Sequence, residues 1–254
     1  MVRQEWAGRP ILYYEETDST NVRAREMSQE LSGTLFVADK QSAGKGRRGR
    51  CWESPAGVNL YFTLLLKPDF TPDTAAMVTL VMGLAVAESI REFCGLDAYI
   101  KWPNDVVVNG KKVCGILTEL ELQGNAIHHL AVGVGINVCR QEFAQEIAAT
   151  ATSIEQELGS PVDRRDLLEQ VMKRFDLYYG RFVQDGDLGG LQECYNKILV
   201  NRDREVRVLD PKGEYTGMAK GITQTGELLV ENTNGVVEKV YAGEVSVRGI
   251  YGYI

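Results

Sequence analysis

Residues 101–122 read KWPNDVVVNGKKVCGILTELEL, and a sheet is legible in them. Asn109-Gly110 suits both positive-φ positions of a type I′ turn, so the apolar residues on either side predict an antiparallel hairpin. Upstream, residues 98–102 read as a short strand, and Pro103 disfavours helix at Trp102 while setting the chain's direction. Lys101, Asn104 and Asp105 should therefore project from a rigid bend at a strand end; a polar bend with nothing bound is the other reading. Lys112 opens an apolar strand, where a lysine is unexpected unless its ammonium meets an anion. Gly115 leaves a gap in that strand, marking either close approach by a ligand or ordinary packing.

Working outward, residues 11–14, residues 58–67 (VNLYFTLLLK) and residues 129–138 (HLAVGVGINV, with Gly133 and Gly135) predict further strands. Asp18 or Ser19 can cap a helix through about Leu31, and Thr71-Pro72-Asp73 starts one that should run to Cys94 and stop at Gly95. After Pro161, residues Leu167, Leu168, Val171, Phe175, Tyr178 and Phe182 recur at helical spacing and read as core. From Arg204 the texture changes to short strands punctuated by Gly213, Gly217, Gly221, Gly226, Gly235 and Gly243. The expected fold class is α+β: a mixed or antiparallel sheet with helices over residues 1–200, then a small all-β barrel over 201–254.

Composition excludes several classes. The longest apolar run, residues 77–87, is broken by Thr79 and Gly83 and falls short of the roughly 20 residues of a membrane span. The opening MVRQEWAGRP lacks the apolar stretch of a secretory signal, so a cytoplasmic protein without membrane contact is expected. Cys51, Cys94, Cys114, Cys139 and Cys194 form no CxxC pair, arguing against disulfides or zinc and for mostly small core residues. His128 and His129 adjoin, with no catalytic pattern legible around them. A net charge of -7 argues against general nucleic-acid binding.

Against that acidic background, residues 43–52 read AGKGRRGRCW. Gly44, Gly46 and Gly49 free the backbone to expose N–H groups, and Lys45, Arg47, Arg48 and Arg50 supply cations. Such a loop suits a polyphosphate; a solvated basic turn is the alternative. Trp52 could cover an organic ligand as the loop closes. No GK[ST] follows the glycines, which argues against a Walker-type NTPase.

TDSTN at residues 17–21, QSAGKGRRGRCW at 41–52, the KWPND segment through Leu117 and VGVGIN at 132–137 together closely resemble the biotin–protein ligases. Residues 204–248 resemble that family's SH3-like barrel, with GEVSVR at 243–248 like its closing strand. The resemblance implies that biotin and ATP form biotinoyl-AMP and pyrophosphate, and that the biotinoyl group then passes to a lysine of a biotin carboxyl carrier domain of a biotin-dependent carboxylase. It further implies that Ser19, Thr20, Asn21 and Gln41 bind the ureido head. Gly115 and Gly133 would line the pocket, Trp52 pack over it, and Gly44, Lys45 and Gly46 of the same loop bind biotin as well. Arg47 and Lys112 would neutralise the biotin carboxylate and α-phosphate. Lys101, Arg50 and Asn104 would serve the phosphates and Mg2+, with Asp105 a second magnesium candidate through the phosphates. Asn137 and Arg248 would reach the nucleotide. Asp105 is a candidate base for the acceptor lysine, or an orienter of Lys112 or Asn104.

Two positions depart from the pattern: Lys45 stands where relatives more often have arginine, and residues 149–153 are small and polar where some place an aromatic over adenine. The rival readings are a lipoate or octanoate ligase or transferase, and a biotin-responsive transcriptional regulator. Nothing before Ile11 is long enough for a helix-turn-helix, so an enzyme that binds no DNA is expected unless a longer parent carries such a domain. A homodimer is compatible with the resemblance.

Overall fold

The computed structural model describes all residues except 7, 211–212, 243–245 and 250–252. Its larger sheet comprises β1 (Val2–Trp6), β2 (Arg9–Thr17), β3 (Leu35–Gln41), β4 (Asn59–Leu66), β5 (Ala98–Lys101), β6 (Asp105–Val108), β7 (Lys111–Gln123) and β8 (Ala126–Asn137). They lie in the order β1-β2-β3-β4-β8-β7-β6-β5. Only the β2–β3 pair is parallel, so the sheet is mixed. The expected hairpin is present: Asn109 and Gly110 have φ of 49° and 77° between β6 and β7.

The parallel pair needs a crossover, supplied by α1 (Thr20–Glu26). This helix stops a turn short of the expected Leu31, whose side chain is exposed and has no core to pack on. Asp18 accepts from the Ser19 N–H at 2.6 Å, while Ser19 is the cap residue without a capping side-chain bond.

A 3-10 turn (Pro72–Thr74) leads into α2 (Ala75–Cys94), which ends at Gly95 in the left-handed conformation, as expected. α2 packs between the sheet and α4 (Arg164–Asp185), and Leu80, Val81, Leu84, Val86 and Ile90 are buried along it. Each such side chain contributes about 1.5–3 kcal/mol, so burial outweighs the end signals. By length and composition residues 72–94 could cross a membrane; the helix is mostly buried inside the protein, and that burial accounts for its apolarity. On α4 the stripe Leu167, Val171, Phe175, Tyr178 and Phe182 is buried as expected, with Leu168 half-buried. The five cysteines are free; contrary to expectation only Cys94 and Cys114 are fully buried, while Cys51 and Cys194 are exposed.

After α3 (Ile154–Leu158) and α5 (Gln192–Lys197), a second, antiparallel sheet follows. It contains β9 (Glu205–Asp210), β10 (Gly213–Ile222), β11 (Leu228–Asn232), β12 (Val237–Val240) and β13 (Ser246–Gly249), ordered β12-β11-β10-β9-β13. Five short strands with a bulge in β10 are consistent with a small barrel. Within GEVSVR, residues 243–245 lie outside the described residues.

Behind the KWPND bend, the edge of the large sheet is stitched to the segment that leads into the second sheet and to its β10–β11 loop. Residue Ile100 of β5 exchanges backbone hydrogen bonds with Ile198 and Val200. The buried Trp102 accepts support at both ends: its backbone N–H donates to Asn201 Oδ1 at 2.9 Å, and its indole N–H to the Gly226 carbonyl at 3.0 Å.

Candidate active site

β7 and β8 present a floor of bare backbone. Gly115 pairs with Gly135, and Gly133 lies between Leu117 on β7 and Thr63 on β4. A Cβ on Gly133 would lie 2.0 Å from Asn21 Oδ1, and one on Gly135 would lie 2.5 Å from the Trp52 indole. A Cβ on Gly115 would meet Trp52 at 2.9 Å and Lys112 Nζ at 3.0 Å. These glycines thus make room for the chain's own polar and aromatic side chains.

The first turn of α1 crosses this floor and delivers Ser19, Thr20 and Asn21, all buried. The Thr20 N–H donates to Gln41 Oε1 at 2.8 Å, and Gln41 Nε2 donates to Ser54 Oγ at 2.9 Å. The Thr63 hydroxyl donates to Asn21 Oδ1 at 2.6 Å, and Asn21 Nδ2 donates to Glu119 Oε2 at 2.8 Å. The result is a polar cradle over the glycine floor, with both donors and acceptors fixed in orientation.

The opposite end is cationic. The loop 43–52 is folded onto the body: Gly46 N–H donates to the Arg50 carbonyl, Trp52 N–H to the Gly44 carbonyl, and Arg48 and Gly49 adopt positive φ. This shape aims Arg47 inward, where Nη1 donates to Asn104 Oδ1 at 2.9 Å and Nη2 to the Ala242 carbonyl at 2.5 Å. Lys112 meets the anion its strand position called for, with Nζ 2.6 Å from Asp105 Oδ1. Its backbone is pinned by residues 149–153, the small polar segment: Lys112 N–H donates to Thr150 O, and Thr152 N–H to Lys112 O.

Asp105 also accepts from Asn104 Nδ2 and from the Tyr253 hydroxyl. Burial pushes its carboxyl up, but the Lys112 and Lys101 ammonium groups and the donated hydrogen bonds outweigh this, leaving it below the ordinary carboxylate value. Lys101 is buried with Nζ 3.9 Å from the centre of the Tyr253 ring. Burial, only partly opposed by Asp105, brings its ammonium down to about 8.

One cavity of about 50 Å³ brings together Ser19, Thr20, Asn21, Gln41, Lys45, Gly46, Arg47, Trp52, Asn104, Lys112, Gly115 and Gly133. It is narrow because Trp52 lies across Gly115 and Gly135. Gly44, Arg50, Lys101, Asp105, Asn137 and Arg248 are outside its wall. Gly44 packs on the Trp52 carbonyl, where a Cβ would lie 2.3 Å away. Asn137 donates to the Thr152 carbonyl at 3.0 Å. Arg50 and Arg248 are exposed, close enough to Lys101 to lower its pKa further. A larger cavity of about 450 Å³, between β1–β3 and α4, is spanned by an Arg164–Asp39 ion pair and gathers none of these groups.

The predicted magnesium pair is engaged within the protein. Asn104 Oδ1 accepts from Arg47, and both Asp105 oxygens accept from Lys112, Asn104 or Tyr253. Sequence reasoning missed Ser54, Thr63, Glu119 and Tyr253, while Gly135, read as a gap in its strand, lies in the cavity wall without having been assigned to the site. Thr63 carried a signal, as the lone polar residue of the buried run YFTLLL.

Comparison with known proteins places this architecture in a class. Residues 13–137 match the biotin/lipoate A/B protein ligase family, and residues 203–248 match the biotin protein ligase C terminal domain. A biotin–[acetyl-CoA-carboxylase] ligase from Paracoccus denitrificans is 36% identical over 231 residues, covering 86% of this chain and 93% of the relative. The bifunctional ligase/repressor BirA of Bacillus subtilis is 33% identical over 252 residues, and the match covers 97% of this chain and 76% of BirA. Among solved structures, a biotin protein ligase from Aquifex aeolicus in complex with biotin and ATP superposes with a TM-score of 0.84 at 33% identity, covering 94% of this chain and 98% of that one. The chain belongs to the biotin–protein ligase family.

Proposed function

We propose that this chain is an ATP-dependent biotin–protein ligase, acting on a lysine of the biotin carboxyl carrier domain of a biotin-dependent carboxylase such as acetyl-CoA carboxylase. The observation that carries the reading is the union, in one cavity, of a neutral polar cradle and a cationic end. A urea needs paired donors and acceptors in an apolar slot, which Ser19, Thr20, Asn21 and Gln41 offer, with Trp52 as the aromatic cover.

In the first step a biotin carboxylate oxygen attacks the α-phosphorus of ATP and pyrophosphate leaves. Two unit negative charges at about 4 Å and an effective dielectric of about 20 repel by about 4 kcal/mol, so the step needs fixed cations. Arg47 and Lys112 supply them at the reacting groups with Lys45 nearby, and Lys101, Arg50 and Arg248 lie toward the phosphates. In the second step the carrier lysine amine attacks the anhydride carbonyl and AMP leaves. Asp105 acts chiefly by holding Lys112 and Asn104 in place, because its low pKa makes it a weak base. Mg2+ enters with the ATP phosphates. Five free cysteines and a mostly buried apolar helix support a cytoplasmic setting.

The test is direct: biotin, magnesium-ATP and an apo carrier domain should give a streptavidin-reactive carrier, and a matched reaction with lipoate should give none. Product from lipoate alone would move the chain to the lipoate ligases. A gel shift dependent on biotin would favour the regulator.

A further inference from the structure

The chain's only two histidines stand beside a carboxylate on the β7–β8 hairpin, away from the groups just described. A regular strand would send His128 and His129 to opposite faces. The register slips here: Glu121 pairs with His129 and Leu122 with Ile127, leaving His128 as the extra residue of a bulge. A bulge re-aims a side chain. The two Nδ1 atoms come within 3.0 Å, and the Glu121 carboxylate lies 3.9 Å from His128 Nδ1 and 3.6 Å from His129 Nε2.

One ion can take only one nitrogen from each ring, and with one donor atom from each residue the three groups lie within 4.8 Å of one another, near the spacing of a shared shell. Ligands held at about 2.0–2.2 Å in a tetrahedral shell lie about 3.3–3.6 Å from one another. A second observation points the same way: His129 is 1% exposed, and its Nε2 is buried without a hydrogen-bond partner. Leaving such a nitrogen unsatisfied costs about 1–3 kcal/mol, a penalty that a ligated ion would remove.

We propose that Glu121, His128 and His129 form a site for one divalent ion of the zinc class, with water completing the shell. Two imidazoles and one carboxylate are the donor set of borderline ions, whereas magnesium and calcium prefer oxygen throughout. Glu121 is two residues along β7 from Glu119, which accepts from Asn21 in the cradle, so an ion here would steady the strand that carries part of the cavity.

The test uses the full chain, stripped with a chelator and titrated with Co2+ as a spectroscopic probe for Zn2+. One equivalent should bind, giving d–d absorption without a thiolate-to-cobalt charge-transfer band, and Zn2+ should displace it. Zn2+ itself should shift the NMR signals of both histidines. His128→Gln and Glu121→Gln should each weaken binding by no less than the about 10- to 100-fold lost when even an outer-shell partner is removed. Both variants should keep carrier biotinylation, which verifies their fold. Absence of stoichiometric binding, unchanged affinity in both variants, or a thiolate band with unmoved histidine signals would overturn the proposal.

Discussion

Replacing Gly133 with alanine would put a methyl carbon 2.0 Å from Asn21 Oδ1 and 2.8 Å from its Cγ. Since unstrained contacts need about 3.5 Å, the carboxamide must retreat by about 1.5 Å. Asn21 is 3% exposed and tied by the hydrogen bonds from Thr63 and to Glu119, so it cannot retreat without breaking at least one of them. Overpacking costs about 1–3 kcal/mol and a stranded buried hydrogen-bonding group about 1–3 more, giving a total of about 2–6 kcal/mol. At about 2–4 °C per kcal/mol for a chain of this size, calorimetry should register a Tm lower by at least about 4 °C. The KM for biotin should rise with it, because the displaced amide belongs to the cradle. Gly180→Ala is the control: a Cβ there meets nothing within 4 Å, and it should leave Tm unchanged or raised. A Gly133→Ala enzyme with the parent's Tm and the parent's KM for biotin would refute the packing argument.

Three further outcomes follow from the cationic end. Lys101 is protonated below about 8 and loses its charge above, so kcat/KM for ATP should fall as pH rises through that value. Lys101→Arg should extend the plateau to higher pH; an identical profile in the variant would remove Lys101 from nucleotide binding. Arg47→Gly deletes the hydrogen bonds to Asn104 and Ala242 that hold the loop down, and should release biotinoyl-AMP faster in the absence of carrier. Release at the parent's rate would dismiss the gating role. Tyr253→Phe removes a donor to Asp105, so the carboxyl should rise toward its ordinary value and the acid limb of the kcat/KM profile should move to higher pH. A limb that stays in place would mean that Asp105 does not govern it.

Where the sequence determined structure locally, it could be read. Asn109-Gly110 dictated its turn, Pro72 and Gly95 bracketed α2, and the α4 stripe was core. The end of α1 was not legible, because helix-compatible residues continue past Glu26 while the core that would reward another turn does not. The same division holds at the site. Contiguous motifs yielded twelve residues of the cavity wall. Thr63, Glu119 and Tyr253 matter only through partners 42, 98 and 148 positions away, a pairing that no local pattern encodes. The histidine pair was visible but mute, since only a register slip brings both rings to one side.

The stitching of Ile100 to Ile198 and Val200 has a practical consequence for anyone re-engineering this molecule. Cutting the chain before residue 198 would bare the outermost strand of the large sheet, a ready template for self-association, and strand the indole N–H of Trp102 in a dry interior. Residues 198–226 are thus a structural keystone rather than a detachable tail, and shortened or domain-swapped versions should keep them with the strand they shield.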